Sequence, residues 1–470
     1  MKKTVLILAI VLSAVNLFGQ NISGKWNGLL NIHGRELRIV FDITKNGRSY
    51  SATMDSPDQG AMGIPVKTTS YSDSILTIYI EEAGIEYVAD LSKENTFIGL
   101  VKQAGELFPL TLTKEKAKTS EKKIISERPR MVTEVYSYYW ENITFENKKA
   151  NISLAGTFST PMKKGSSPAV ILISGSGPQN RDGEAFGHKP FEILADYLTS
   201  NGIAVLRFDD RGTGASTGNF ENSTTADFAT DVEAAINYLK SSPEINPNKI
   251  GLIGHSEGGI IAPMVAASSS DVNFIVMLAG TGIPGDELIL LQQELTGQIS
   301  GVGETQLLND KNVNGEALRM IAHTSDDETL ETDLQNLLTD EITNHSGSKL
   351  PLGIVQQELV NDQVKELTSP WFRFFVKHNP ALVLQKVKCP VLALNGEKDL
   401  QVPAKINLEA IKGALDKGGN KNVKTKILPG LNHMFQKCST GSPAEYASIK
   451  QSISPVALYE IGKWVVRKTN

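Results

Sequence analysis

"KIGLIGHSEGG", residues 249–259, runs through apolar residues into Gly254, then His255, Ser256, Glu257 and two glycines. The apolar part is short and lacks polar alternation, the pattern of a strand covered on both faces. The "GIIAPMVAASS" that follows, 259–269, reads as a helix. The stretch therefore predicts a strand, a tight turn and a helix, with one serine at the turn. Glycines stand two residues either side of it, where side chains would clash. Such a turn lifts a hydroxyl above the sheet edge, and the helix N-terminus beyond favours developing negative charge.

A serine hydroxyl attacks only when a base takes its proton, so a histidine and an orienting carboxylate should follow in chain order. "PVLALNGEKDLQVP", 390–403, places Asp399 just past the C-terminal end of a strand, with Glu397 as its competitor. "KILPGLNHMF", 426–435, places His433 just past the next. His255 adjoins the serine and should point away from it, while His323, His345 and His378 lie in a separate helical stretch. A tetrahedral intermediate needs two backbone N–H donors. Glu257 supplies one; the loop "SGSGPQNRDG", 174–183, supplies the other from Ser176, with Gly177 as second choice.

Outward from the serine, strands alternate with helical segments from about residue 132 to the C-terminus: "AVILISG", "IAVLRFD", "KIGLIGH", "NFIVMLAG", "PVLALNG" and "KTKILPG". That alternation predicts a mostly parallel sheet covered by helices on both faces. Thr224, with Asp227 three residues on, reads as a helix N-cap. The alternation breaks at about 284–388, which holds helical patterns only and reads as an insertion covering the site. In "RFDDRGTGAS", 207–216, Asp209, Asp210 and Arg211 read as structural ion pairing.

Residues 20–113 have a different grain. "KWNGLLNI", "ELRIVFDIT", "RSYSATMD", "SILTIYI", "EYVADL", "TFIGLV" and "FPLTLT" are β runs cut by turn signals such as "KNG" and "DSPDQG". They predict a small antiparallel barrel or sandwich. Its "GKW" opening is similar to the Gly-x-Trp start of lipocalin-like barrels. Asp55 and Asp58 are turn residues on this reading, although the pair could also hold a cation. A charged linker, 114–131, follows.

Lys2 and Lys3 precede an apolar run from Val5 to Val15, eleven residues, too short to span a bilayer. Residues 1–19 thus read as an export signal, cleaved between Gly19 and Gln20. The expected location is periplasmic or extracellular, with no integral membrane segment after signal removal. A formal charge of −5 without a long basic run argues against nucleic acid as a partner. Cys389 and Cys438 are placed at opposite ends of one sheet, too far apart to pair.

Taken in order, "SGSGPQNRDG", "RFDDRGTGAS", "GHSEGG", "NGEKDLQVP" and "LPGLNHMFQ" resemble the α/β-hydrolases, in particular bacterial exported esterases of the serine-aminopeptidase-like group, some with an N-terminal β domain. The resemblance spans the C-terminal two-thirds of the chain. It implies an α/β-hydrolase fold with a helical lid and the triad Ser256–Asp399–His433. Ser174-Gly175 stands where the commoner oxyanion motif begins with His-Gly. The activity expected is cleavage of small carboxylic esters, short acyl chains above all, through an acyl-enzyme. An aminopeptidase or amidase, a thioesterase, or a ligand-binding protein led by the β domain are the alternatives. No cofactor and no metal are expected for this chemistry.

Overall fold

The computed structural model describes residues 22–32, 35–47, 49–57, 61–72, 74–80, 84–92, 96–103, 106–114, 138–162, 165–344 and 354–469. The export signal, its cleavage point, Asp58 and nearly all of the linker lie outside them. The chain falls into two compact units, each with its own sheet.

The first unit is all antiparallel. Its strands are β1 (Gly24–Ile32), β2 (Arg35–Asn46), β3 (Ser49–Ser56), β4 (Ala61–Pro65), β5 (Thr68–Ser72), β6 (Ile75–Ile80), β7 (Ile85–Leu91), β8 (Phe97–Gln103) and β9 (Glu106–Thr113). They form one sheet in the order β4-β3-β2-β1-β9-β8-β7-β6-β5. The two outermost strands are consecutive in sequence, joined by Val66 and Lys67 alone. Three peptide steps reach at most roughly 11 Å, so the ends must approach and the sheet must curl. Val66 N–H donates to Ala52 O (3.3 Å) on one side and Lys67 N–H to Tyr79 O (2.9 Å) on the other. The result is a half-barrel made from one sheet, so the sandwich alternative falls away. Alternate residues of β6 and β7 point inward. Trp26 is buried against Phe97, ring centroids 4.5 Å apart, and its indole N–H is taken by Ile22 O (2.7 Å). Asp55 accepts from Gly63 N–H (2.7 Å), the turn role expected of it. β4 and β5 are additional to the seven runs expected, because Gly63, Pro65 and the polar "TTSYS" give no strand pattern.

The second unit orders its strands β10-β11-β13-β12-β14-β15-β16-β17. They are β10 (Tyr138–Asn147), β11 (Ile152–Pro161), β12 (Ser167–Ile173), β13 (Ala204–Phe208), β14 (Ile245–His255), β15 (Phe274–Leu278), β16 (Val391–Gly396) and β17 (Val423–Leu428). β10 and β11 are antiparallel; every pair from β13 to β17 is parallel. The helices are α1 (Pro190–Ser200), α2 (Thr225–Ser241), α3 (Gly258–Ser268), α4 (Gly285–Ile299), α5 (Glu304–His323), α6 (Asp327–Asn344), α7 (Ile354–Leu367), α8 (Pro370–Lys377), α9 (Pro380–Leu384), α10 (Ala404–Lys417) and α11 (Pro455–Thr469).

Side chains of β12 alternate between two layers. Ala169, Ile171 and Ile173 join a core with α2, α3 and α10; Val170 and Leu172 join one with α1 and α11. This double coverage explains why the strand sequences are continuously apolar. Thr224 and Asp227 form a reciprocal capping box at the start of α2. Helices α4 to α9 all lie between β15 and β16, which nonetheless pair directly, Ile275 opposite Val391. This insertion has an apolar nucleus of its own around Leu318, Ile321, Leu334 and Val364. Cys389 and Cys438 are both free thiols, and burial pushes the Cys389 thiol up to about 11.

Candidate active site

β14 ends at His255 and α3 begins at Gly258, so Ser256 occupies the turn between them. Its φ is 54°, a left-handed conformation that costs a non-glycine residue about 1–2 kcal/mol. The turn persists because its surroundings allow no other. Ser256 N–H donates to Leu278 O (2.8 Å), and Gly259 N–H to Ser256 O (2.8 Å). A Cβ at Gly254 would lie 1.9 Å from Gly258 O, and one at Gly258 would lie 2.4 Å from Ile173 O. Backbone fills both places, which is why the pentapeptide needs glycine there.

Past the end of β16, Asp399 is buried at 3% exposure. Its Oδ1 accepts from Gln401 N–H (2.9 Å) and Val402 N–H (2.8 Å), which fixes the carboxylate plane. Its Oδ2 faces His433 Nδ1 at 2.9 Å. His433, past the end of β17, is equally buried. A carboxylate on Nδ1 makes that nitrogen the N–H and leaves Nε2 as the proton acceptor. Glu397 goes elsewhere: it is exposed and its Oε2 accepts from Gly430 N–H (2.8 Å).

His255 does more than turn away from the serine. Its Nε2 lies 3.0 Å from the backbone O of His433, and the two rings are 4.8 Å apart. Burial first, then the neighbouring His433, lower its pKa to about 3. The ring is thus neutral and donates Nε2–H to that carbonyl.

The loop 174–177 comes beside Ser256: a Cβ on Gly175 would lie 3.1 Å from Ser256 Cβ. The backbone N–H groups of Glu257, Ser176 and Gly177 donate to no protein acceptor among the described residues.

Two carboxylates hold that loop, Asp209 buried and Asp210 partly exposed. Asp210 accepts from Ser174 Oγ (2.5 Å) and from Gln179 N–H (2.8 Å). Burial lifts its pKa to about 7 against the pull of these bonds, with Glu257 and Asp231 adding repulsion. Asp209 is opposed by burial, but Arg181 and backbone N–H groups outweigh it and hold the carboxyl below its ordinary range. Arg181 Nη2 sits 2.7 Å from Asp209, and Arg211 pairs with Asp231 at 2.8 Å. Ion pairing therefore holds for Asp209 and Arg211. Asp210 departs from it, because the carboxyl faces a hydroxyl and a backbone N–H and pairs with no cation among the described residues.

With this geometry in place, relatives can be compared. The family model described as "BAAT / Acyl-CoA thioester hydrolase C terminal" matches residues 232–439, and the BD-FAE model matches residues 157–283. Esterase EstD of Thermotoga maritima is 24% identical over 335 residues, covering 70% of this chain and 69% of that protein. The chain is a carboxylesterase-like α/β-hydrolase.

Another relative is the human mitochondrial palmitoyl-protein thioesterase ABHD10, 32% identical over 126 residues, 27% of this hydrolase and 37% of that protein. Among solved structures, the Pyrococcus furiosus esterase Pf2001 aligns at 16% identity and a TM-score of 0.43, covering 74% of this hydrolase and 100% of that chain. The side chain of Glu257 has no signal in the sequence, where only its N–H drew notice. In the hydrolase it is 3% exposed and accepts Thr225 Oγ1 (2.7 Å) and Trp371 Nε1 (2.8 Å).

Proposed function

We propose that the second unit is a serine esterase for small carboxylic esters, acting through an acyl-enzyme. Ser256 is the nucleophile, His433 the base and Asp399 the acid that orients it. The observation that carries the reading is the buried His433–Asp399 pair, 2.9 Å apart, on the loops after β16 and β17, with a left-handed serine elbow after β14 of the same parallel sheet. In the first step His433 Nε2 takes the Ser256 hydroxyl proton as Oγ bonds to the acyl carbon. The carbonyl electron pair moves to oxygen, which the N–H groups of Glu257 and Ser176 receive, with Gly177 as the alternative second donor. Collapse expels the alcohol, which leaves with the proton from the imidazolium. Water repeats the sequence on the acyl-enzyme and releases the acid.

A thioester reading shares the triad and draws on the acyl-CoA thioester hydrolase match. A fluorophosphonate probe should label Ser256 and leave Ser256→Ala unlabelled. Oxygen esters of two to six carbons should turn over faster than longer chains, aminoacyl anilides or matched thioesters. Label persisting in Ser256→Ala overturns the nucleophile; faster thioester turnover exchanges the first reading for the second. Residues 1–19 direct export on this reading, and the mature protein recovered from a bacterial host should begin at Gln20.

A further inference from the structure

The Glu257 carboxylate joins three parts of the second unit that no other single side chain described here joins. It follows the nucleophile directly, at the first residue before α3. Thr225, the first residue of α2, donates to its Oε1 at 2.7 Å. Trp371, on α8 of the insertion, donates its indole N–H to the same oxygen at 2.8 Å. Ser176, from the loop beside Ser256, has its hydroxyl near enough to pull the carboxyl's pKa down against the rise that burial causes. Thr225 and Trp371 are both donors, and the carboxyl group is almost fully buried.

Burying a carboxylate is costly unless its oxygens are filled, so the group persists only while its donors are in place. The Ser176 hydroxyl acts on the carboxyl of Glu257, so the two residues whose N–H groups are the proposed oxyanion donors adjoin. The Trp371 donor comes from an insertion that the sheet does not require for its own pairing. Withdrawal of α8 removes Trp371 from the carboxylate and leaves Oε1 with Thr225 alone.

We propose that Glu257 is a positioning residue that couples the seating of helix α8, through Trp371, to the alignment of the two oxyanion donors. This rests on the reading of Ser256 as nucleophile. With α8 seated, the carboxylate is satisfied by Thr225 and Trp371, and the turn that carries the Glu257 N–H is held beside Ser176. With α8 withdrawn, the carboxylate recruits another donor or water, and the 174–177 loop loses its register. The insertion thereby acts on turnover as well as on access.

The test uses the full chain with a short ester, measuring kcat and KM separately, the rate of fluorophosphonate labelling, and thermal melting. Trp371→Phe keeps an aromatic ring and deletes only the donor; it should lower kcat and labelling about fivefold to tenfold with KM within threefold. Glu257→Ala should lower kcat thirtyfold or more, approaching the loss of an oxyanion donor. Glu257→Gln keeps an oxygen for Thr225 and Trp371 and should lose several-fold less than Glu257→Ala. The double variant Glu257→Ala/Trp371→Phe should be no slower than Glu257→Ala, because one contact cannot be lost twice. A kcat for Trp371→Phe equal to the parent overturns the proposal. So do losses that multiply in the double variant, or that appear only in KM or in melting. Turnover retained in Ser256→Ala would instead sink the nucleophile reading. A dead Ser256→Ala beside unchanged Trp371→Phe sinks this inference alone.

Discussion

His255 Nε2 donates to the backbone carbonyl of His433 across 3.0 Å, so the residue before the elbow serine holds the loop that carries the second histidine. One histidine anchors the backbone of the other while Asp399 anchors its ring. The two restraints act on different atoms, and together they leave the imidazole few orientations.

Removing the first restraint should therefore slow turnover without destroying the site. His255→Leu strands a buried carbonyl, which costs about 1–3 kcal/mol of stability. Turnover should fall roughly tenfold, since alignment within an angstrom is worth up to two orders of magnitude. Because the His255 ring is neutral down to about pH 3, the acid limb of the parent's pH–rate profile should fit one proton. A limb requiring two protons would contradict this.

Asp399→Asn should cut kcat by about four orders of magnitude, since an amide cannot hold the same tautomer. Glu397→Gln should lose less than tenfold, its carboxylate serving only Gly430 N–H on an exposed loop. Steady-state rates on purified variants that melt like the parent decide it, and a reversed order would reassign the acid.

Ser256→Gly should be inactive yet more stable than the parent by about 1 kcal/mol, because glycine adopts φ near +54° without strain. Ser256→Ala keeps the Cβ and should show no such gain. Urea midpoints of the three proteins make the comparison.

Asp210 gives a pH signature. Its folded pKa of about 7 lies above the ordinary value of 3.8, so the folded chain retains a proton that the unfolded chain loses between these values. The cost is absent below the unfolded value, grows as pH rises through the window and is complete above about 7. Asp210→Asn should gain stability over the parent as pH rises from 4 to 7, by up to about 4 kcal/mol less the bond to Gln179 N–H. Urea titrations at pH 4.5, 6 and 8 measure this; a gain that shrinks with pH would refute it.

What could be read from the chain without coordinates followed from local sterics. The elbow is legible because Gly254 and Gly258 leave no room for a Cβ, a constraint written in five residues. The strands β12 to β16 are legible because burial on both faces removes polar residues from them. Asp399 and His433 are legible as strand-end residues in the right chain order. The curl of the first sheet was hidden, since β4 and β5 carry exposed polar residues and reveal themselves only by joining its two ends. The bonds of Asp210 to Ser174 and Gln179, of His255 to His433 and of Glu257 to Trp371 connect residues 31 to 178 positions apart. No local pattern encodes such distances.

The insertion between β15 and β16 carries a nucleus that shares no buried residue with either layer of the sheet. A segment with a separate nucleus, leaving and re-entering at neighbouring strands, can melt as a cooperative unit below the free energy of global unfolding. Amide hydrogens of α5 and α6 then exchange before those of β12 and β14. A protease finds its first cuts in the helices of the insertion, well before the scaffold that presents the serine. Heat or mild denaturant accordingly loosens the insertion first and leaves the elbow standing on an intact sheet.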